Sequence, residues 1–265
     1  MIVKVLIENT AQSDGILTEH GLSFYIETKM HKILFDMGQS DAFIQNASTI
    51  GVDLSEVDIA FLSHGHYDHG GGLEAFLSIN SDAKVYINKN AFEDYYSEDG
   101  RYIGLNKNLR SNKRIIFTED EQRIDNELYI FTGNKLKRNH YMDTFSLFKE
   151  QGGKRVPDDF LHEQYLIIND EQKNILISGC SHKGILNIMD WVKEYNVGAV
   201  FGGFHYMKVD IEKDHEYLYD TSKKLLEHRT KYYTCHCTGI EQYNHMKDLM
   251  CECLEYVSAG KIINL

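Results

Sequence analysis

At 265 residues, the chain is long enough to bury a full core, as one large domain or two small ones. Its hydrophobic content of 42% and charged content of 26% are those of a soluble globular protein. The formal net charge of −12 argues against sequence-independent binding to nucleic acid or to an anionic membrane, so neither partner is expected.

Residues 2–8 alternate like a strand and carry charge too early for a signal peptide. No apolar run approaches the roughly 20 residues that span a bilayer. The five cysteines are an odd number and do not suggest a disulfide framework. A reducing cytoplasm is therefore the expected location.

The first part of the chain predicts strands alternating with helices. Apolar runs and alternation predict strands over 2–8, 22–27, 32–36, 59–62 and 84–87, and helical spacing predicts helices over 40–50 and 73–80.

Residues 89–160 differ in character, because they are rich in Asn, Lys, Arg and Tyr. Their core-like runs are 114–117 and 127–131. We predict a small inserted α+β subdomain here, between core segments 1–88 and 161–265.

The second part of the chain alternates again. Strands are predicted over 165–168, 174–178, 197–201, 232–234 and 261–264, with a turn at 170–171, and helices over 184–195, 214–229 and 240–257. Two sheets face to face with helices on each outer surface form the economical α/β arrangement.

A cluster of metal-binding residue types follows the predicted strand 59–62. His64, His66, Asp68 and His69 lie within six residues, and burying them would be costly unless something pairs with them. Their nitrogen and oxygen donors suit a divalent transition metal. His64 and His66 point together if the backbone is extended, while Asp68 and His69 lie beyond a bend. The spacing therefore favours a two-metal site over a solvated histidine-rich loop.

Three predicted strands of the second part also end in Gly, Cys and His residues. Sites in layered α/β proteins gather at the carboxyl ends of strands. We therefore predict that His182 and His236 are ligands. His205 is predicted to face substrate or to support a ligand, because a two-metal site is nearly full without it.

The cysteines allow a second interpretation, a four-thiolate zinc site. In a helix Cys251 and Cys253 lie about 200° apart. In a strand Cys235 and Cys237 face away from His236. Buried thiols acting as small hydrophobic side chains are the better interpretation of these four residues.

The sequence allows more than one role for two further segments. Cys180 is kept as a candidate ligand. Residues 158–163 bring His162 or Glu163 to the edge of the site, or form an acidic capping loop. The remaining histidines, among them His20, are interpreted as surface or packing residues.

Several motifs resemble one known family. Ser63-His64-Gly65-His66-Tyr67-Asp68-His69 resembles the HxHxDH signature of the metallo-β-lactamase superfamily, and Leu34-Phe35-Asp36-Met37-Gly38 resembles its upstream strand motif. The segments 19–23, 179–185, 202–205 and 236–239 are similar to the branch named for 7,8-dihydropterin-6-methyl-4-(β-D-ribofuranosyl)-aminobenzene-5′-phosphate synthase.

The resemblance implies a four-layer αββα sandwich. Members of the branch can carry a ferredoxin-like insertion, and residues 89–160 are the candidate for it, since the resemblance covers nearly the whole chain apart from them. It implies two divalent metal ions, zinc first, with iron or manganese as alternatives. One ion is assigned to His64, His66 and His182, and the other to Asp68, His69 and His236. The bridging Asp that is usual in the superfamily is replaced here by Gly179-Cys180.

The resemblance also implies a reaction. Asp68 is the catalytic residue that orients a water or takes its proton, and Lys183, His205 and Glu163 are the candidates to hold a small anionic substrate. We expect a hydrolase acting on a phosphate-containing metabolite. The alternatives are the synthase of the branch's name, a non-catalytic metal sensor and a di-iron redox protein. A homo-oligomer is compatible with the sequence.

Overall fold

The computed structural model describes residues 1–170 and 173–265, so the predicted turn at 170–171 lies partly outside the described residues. The chain divides into two compact units. Unit 1 consists of Met1–Glu119, Ser146–Gln164 and Ser258–Leu265. Unit 2 consists of Asp120–Phe145 and Tyr165–Val257.

Strands and helices alternate along much of the chain. The strands are β1 (Ile2–Ile7), β2 (Ser23–Glu27), β3 (Lys32–Phe35), β4 (Ile59–Leu62), β5 (Lys84–Asn88), β6 (Tyr95–Tyr96), β7 (Ile115–Thr118), β8 (Glu121–Arg123), β9 (Leu128–Phe131), β10 (Phe148–Gln151), β11 (Lys154–Pro157), β12 (Tyr165–Asp170), β13 (Lys173–Gly179), β14 (Val197–Gly202), β15 (Lys231–Thr234), β16 (Leu254–Tyr256) and β17 (Ile262–Asn264). The helices are α1 (Ala42–Thr49), α2 (Tyr67–Gly70), α3 (Leu73–Ile79), α4 (Ile185–Trp191), α5 (Ile211–Glu227) and α6 (Ile240–Met250).

Unit 1 contains a seven-stranded sheet in the order β17-β1-β2-β3-β4-β5-β7. Strands β3, β4, β5 and β7 run parallel, and β4 is buried along its whole length, as the continuous apolar run of a parallel strand requires. Phe43 of α1 and Phe76 of α3 belong to the same apolar core as Leu34 and Leu62 of the sheet. The loops after β3 and β4 consequently leave one edge of this sheet together.

Unit 2 contains a second seven-stranded sheet, in the order β16-β15-β14-β13-β12-β9-β8. Strands β13 to β16 are parallel, so the loops after β13, β14 and β15 also lie at one edge. Ile188 of α4, Leu218 of α5 and Met246 of α6 are buried in the apolar core of this unit. Both sheets are thus flanked by helices, which confirms the predicted mixed α/β class.

Strand pairing divides residues 89–160 differently from the predicted inserted subdomain. β7 extends the sheet of unit 1, while β8 and β9 extend the sheet of unit 2. Only β6, β10 and β11 form a separate three-stranded sheet. The two core-like runs of this range therefore bury their apolar side chains in the large sheets, because a small insertion has little core of its own.

Helix ends differ from prediction where local chemistry overrides periodicity. α6 ends at Met250 rather than at residue 257, because Cys251 adopts a left-handed backbone with φ 45°, and β16 follows. α5 begins at Ile211 rather than 214, because the Asp210 side chain accepts the N–H groups of Glu212 and Lys213. Among the described residues, no helix has both the length and the apolar character to cross a membrane.

Candidate metal centre

Unit 1 brings the four polar residues that follow β4 into one buried cluster. His66 has an extended backbone, with φ −99° and ψ 148°, and α2 begins at the next residue. The ring of His64 lies 4.6 Å from that of His66 and 4.2 Å from that of His69, measured between centroids. Asp68 is also buried. Burial lowers the pKa of His66 below its ordinary value, which favours the neutral imidazole that a metal requires.

The carboxylate of Asp36, directly after β3, orients this cluster. Its Oδ1 accepts the backbone N–H of Ser63 at 2.7 Å, and its Oδ2 accepts the hydroxyl of Ser63 at 2.7 Å and Nδ1–H of His69 at 2.6 Å. Because the Ser63 hydroxyl donates to Asp36, its oxygen accepts Nδ1–H of His64 at 2.8 Å. Both imidazoles therefore present the lone pair of Nε2, the arrangement that metal-binding histidines adopt.

Asp36 lies outside the predicted set of site residues. The signal in the sequence was a carboxylate at a strand end followed by Met-Gly, and it did not reveal the partners of the side chain. Ser63 and His69 are far from it along the chain, so only the parallel pairing of β3 with β4 brings them together.

His162 supports the loop between the first two histidines. The backbone N–H of Gly65 donates to its Nδ1 at 2.9 Å, and its Nε2–H donates to Asp158 at 3.0 Å. Both ring nitrogens are thus engaged in hydrogen bonds, so His162 positions Gly65 and has no nitrogen left to bind a metal ion. The neighbouring Glu163, a predicted substrate-binding candidate, is fully buried in unit 1.

His20 is closer to the cluster than predicted. Its Nε2 lies 3.4 Å from Oδ2 of Asp68, and its side chain is 49% exposed. The sequence alone predicts a surface or packing residue here, although His20 belongs to a segment, 19–23, that carries part of the family resemblance.

Unit 2 brings together donor atoms from the loops after β13, β14 and β15. In one group, Cys180, His182 and His205 place their donor atoms within 4.8 Å of one another. In a second group, Cys180, His236 and Cys237 do the same. All of these residues are buried except His205, which is partly exposed. Four of the five predicted site residues of this unit, all except Lys183, therefore lie close together, with one further thiol among them.

Each of these three loops contains a residue with left-handed backbone. The φ angles are 56° for Ser181, 59° for His205 and 49° for His236. For a residue with a side chain this conformation costs about 1–2 kcal/mol. Such strain is concentrated at functional sites, where the surrounding structure maintains it.

Cys237 departs from the prediction for a reason of local geometry. β15 ends at Thr234, and His236–Thr238 form a 3₁₀ turn instead of continuing the strand, so the thiol comes close to His236. Its Sγ–H donates to the carbonyl of Cys180 at 3.4 Å. Burial by itself raises the pKa of the Cys237 thiol, but hydrogen bonds with Cys180 and His205 and the charge of His236 lower it well below its ordinary value.

Lys183 has contacts that do not favour the predicted role in substrate binding. The side chain is fully buried in unit 2, where Nζ donates to the carbonyl of Thr132 at 2.8 Å and lies 5.5 Å from the ring centroid of Tyr165. It joins the end of β9 to the loop before α4.

The two sets of side chains fit a divalent transition metal. Unit 1 offers imidazole nitrogens that are already oriented by hydrogen bonds, together with a carboxylate. Unit 2 offers imidazoles and thiols whose donor atoms lie close enough for one ion to reach all three of a group. Zinc is the ion most often bound by such mixed nitrogen, oxygen and sulfur donors.

Comparison with known proteins agrees with this chemistry. The sequence model of the metallo-beta-lactamase superfamily matches residues 18–219, which is most of the chain. The chain belongs to the metallo-β-lactamase superfamily. This assignment confirms the predicted resemblance and places the chain in a family of metal-dependent hydrolases.

Three relatives of this superfamily member are similar over nearly its full length. The crystal structure of Tm1679, described as a metal-dependent hydrolase of the beta-lactamase superfamily, has a TM-score of 0.85 and 30% identity, covering 100% of this chain and 99% of that one. The uncharacterized protein MJ0448 of Methanocaldococcus jannaschii is 30% identical over 100% of both chains. The 7,8-dihydropterin-6-methyl-4-(beta-D-ribofuranosyl)-aminobenzene-5′-phosphate synthase of the same organism is 30% identical, covering 93% of this chain and 90% of the relative.

Proposed function

We propose that this protein is a binuclear metal-dependent hydrolase that acts on a small, anionic, phosphate-containing metabolite. The observation that carries the proposal is the buried histidine cluster after β4, with its Nε2 atoms oriented through Asp36 and Ser63. Three proposed ligands serve each ion. These are His64, His66 and His182 for one ion, and Asp68, His69 and His236 for the other.

The chain's own residues have distinct tasks in this proposal. A bound divalent ion would act as a Lewis acid and make hydroxide available from water near neutral pH. Asp36 keeps His69 in one tautomer. Asp68 orients the attacking water and accepts its proton, and His20, 3.4 Å away and half exposed, can pass that proton to solvent.

His205 is the residue that we propose for contact with the anionic substrate. It is only partly buried, whereas the other two candidates, Lys183 and Glu163, are fully buried. Its ring lies 4.2 Å from that of His182 and 5.3 Å from that of Phe145, between centroids. An imidazole N–H at this position donates to a phosphate oxygen while an apolar ring limits its access to water.

A second candidate function is the synthase reaction. It is favoured by the 30% identity to the dihydropterin synthase, which extends over 93% of this chain. The same metal ligands would serve it, so the two candidates differ in substrate and product rather than in metal content.

The double variant His66→Ala, Asp68→Ala tests the proposed hydrolase. We expect it to lose both bound metal and hydrolysis of a panel containing p-nitrophenyl phosphate, bis-p-nitrophenyl phosphate and a thioester. Elemental analysis and product absorbance are the measurements. The matched control is His31→Ala, Asp58→Ala, which removes a His–Asp pair of unit 1 whose carboxylate is exposed.

The outcomes separate the candidates. Full hydrolysis by a metal-free double variant would refute the proposed mechanism. Wild-type protein that holds both ions but turns over no member of the panel would favour the synthase or a metal sensor.

A further inference from the structure

Cys180 belongs to both groups of donor atoms in unit 2. One group pairs its Sγ with His182 and His205, and the other pairs it with His236 and Cys237, all donor atoms of a group lying within 4.8 Å of one another. In a tetrahedral zinc site, with metal–sulfur and metal–nitrogen bonds of about 2.3 and 2.0 Å, neighbouring donors are about 3.5 Å apart. One sulfur is thus within reach of two ion positions.

The backbone around Cys180 maintains this placement. Gly179 and Ser181, on either side, both have left-handed backbone, with φ of 64° and 56°. The hydroxyl of Ser181 donates to that of Ser178 at 3.0 Å, which anchors the turn to the end of β13. An unfavourable backbone conformation at Ser181 is thus retained between the Cys180 thiol and the His182 imidazole.

The thiol of Cys237 occupies a space that is open only because residue 203 is glycine. A Cβ at Gly203 would lie 2.3 Å from Sγ of Cys237, so the loop after β14 leaves room for this sulfur beside the Cys180 carbonyl. A small hydrophobic side chain would fill an apolar gap equally well. Here, however, the sulfur lies among the donor atoms of Cys180 and His236, which favours ligation over packing.

We infer that Cys180 supplies a thiolate shared by two metal positions, one containing His182 and the other containing His236 and Cys237. This inference rests on the proposed function only in taking His182 and His236 as ligands. On binding of a divalent ion, the S–H bond of each thiol breaks, a sulfur–metal bond forms and the proton passes to the buffer. The thiolates would favour zinc, cobalt or cadmium over manganese.

Cobalt substitution of the full-length protein tests this inference. We expect Co²⁺-loaded wild type to show a sulfur-to-cobalt charge-transfer band and to release protons on loading. Cys180→Ala should weaken the band and lose about half of the bound metal, and Cys180→Ala with Cys237→Ala should abolish the band. Cys235→Ala is the matched control, a buried thiol of the same loop as Cys237, and it should keep both band and metal.

The spectrum of the wild type decides the inference even if a variant fails to fold. Bound Co²⁺ with no sulfur charge-transfer band would overturn the shared thiolate while leaving the proposed hydrolase intact. Wild type that binds no Co²⁺ or Zn²⁺ would overturn both. Cys180→Asp, which replaces the thiol with a carboxylate, should retain metal but reduce the band, and an undiminished band in this variant would contradict the assignment.

Discussion

Asp36 shows how one side chain determines the chemistry of its neighbours. It accepts three hydrogen bonds in a fully buried position, and these bonds select the tautomers of His69 and, through Ser63, of His64. The partners of a metal-binding imidazole raise its basicity and fix its orientation. The cluster after β4 is therefore organised by a residue that is not itself among the proposed ligands.

We predict that Asp36→Asn weakens metal binding by roughly 10–100-fold, because the amide NH₂ cannot accept the bonds that the carboxylate oxygen accepts. Competition with a chromophoric chelator measures the affinity. The matched control is Asp58→Asn, since Asp58 also accepts a His Nδ1–H at 2.6 Å and a backbone N–H at 2.7 Å, but at an exposed site. An equal loss of metal affinity in both variants, or no loss in Asp36→Asn, would contradict the role assigned to Asp36.

At the scale of elements, local patterns predicted the strands better than the turns. The predicted strand 59–62 coincides with β4, because a short continuous apolar run is typical of a parallel strand that is buried on both faces. The predicted helix 240–257 is too long, because periodicity does not show the left-handed turn at Cys251. The same limitation hid the proximity of the Cys237 thiol to His236, which depends on a turn at His236 rather than on the strand pattern.

The site was predictable to the extent that its residues are neighbours in the sequence. Spacing alone identifies the candidate ligands His64, His66, Asp68 and His69. The contacts of Asp36 with Ser63 join residues 27 apart, and the bond from Gly65 to His162 joins residues 97 apart. Such contacts depend on sheet register, which a single sequence does not specify.

We predict that Gly65→Ala weakens metal binding and lowers stability by about 1–3 kcal/mol, because its Cβ would lie 2.3 Å from the carbonyl oxygen of Ala91. Urea unfolding and metal titration are the measurements. Gly51→Ala is the control, since its Cβ meets no described atom within 4 Å and only its φ of 70° is unfavourable, at about 1–2 kcal/mol. Metal affinity that falls equally in both variants would show that the loop does not depend on this close approach.

At the scale of the whole molecule, each unit contains a sheet edge at which parallel strands end and polar residues begin. In unit 1, polar residues follow the carboxyl ends of the parallel strands β3 and β4. In unit 2, they follow the carboxyl ends of the parallel strands β13, β14 and β15. The family relationship extends over nearly the full chain, at 30% identity to Tm1679 with a TM-score of 0.85. The central claim of the proposed function is that this protein needs bound divalent metal to catalyse hydrolysis.

Removal and return of metal test this central claim most directly. The protein is treated with a chelator, its metal content is verified, and hydrolysis of the phosphate and thioester panel is measured before and after Zn²⁺ is restored. We predict activity in the metal-loaded protein, its loss on chelation and its recovery with Zn²⁺. Undiminished hydrolysis by protein verified to be free of metal would contradict the account.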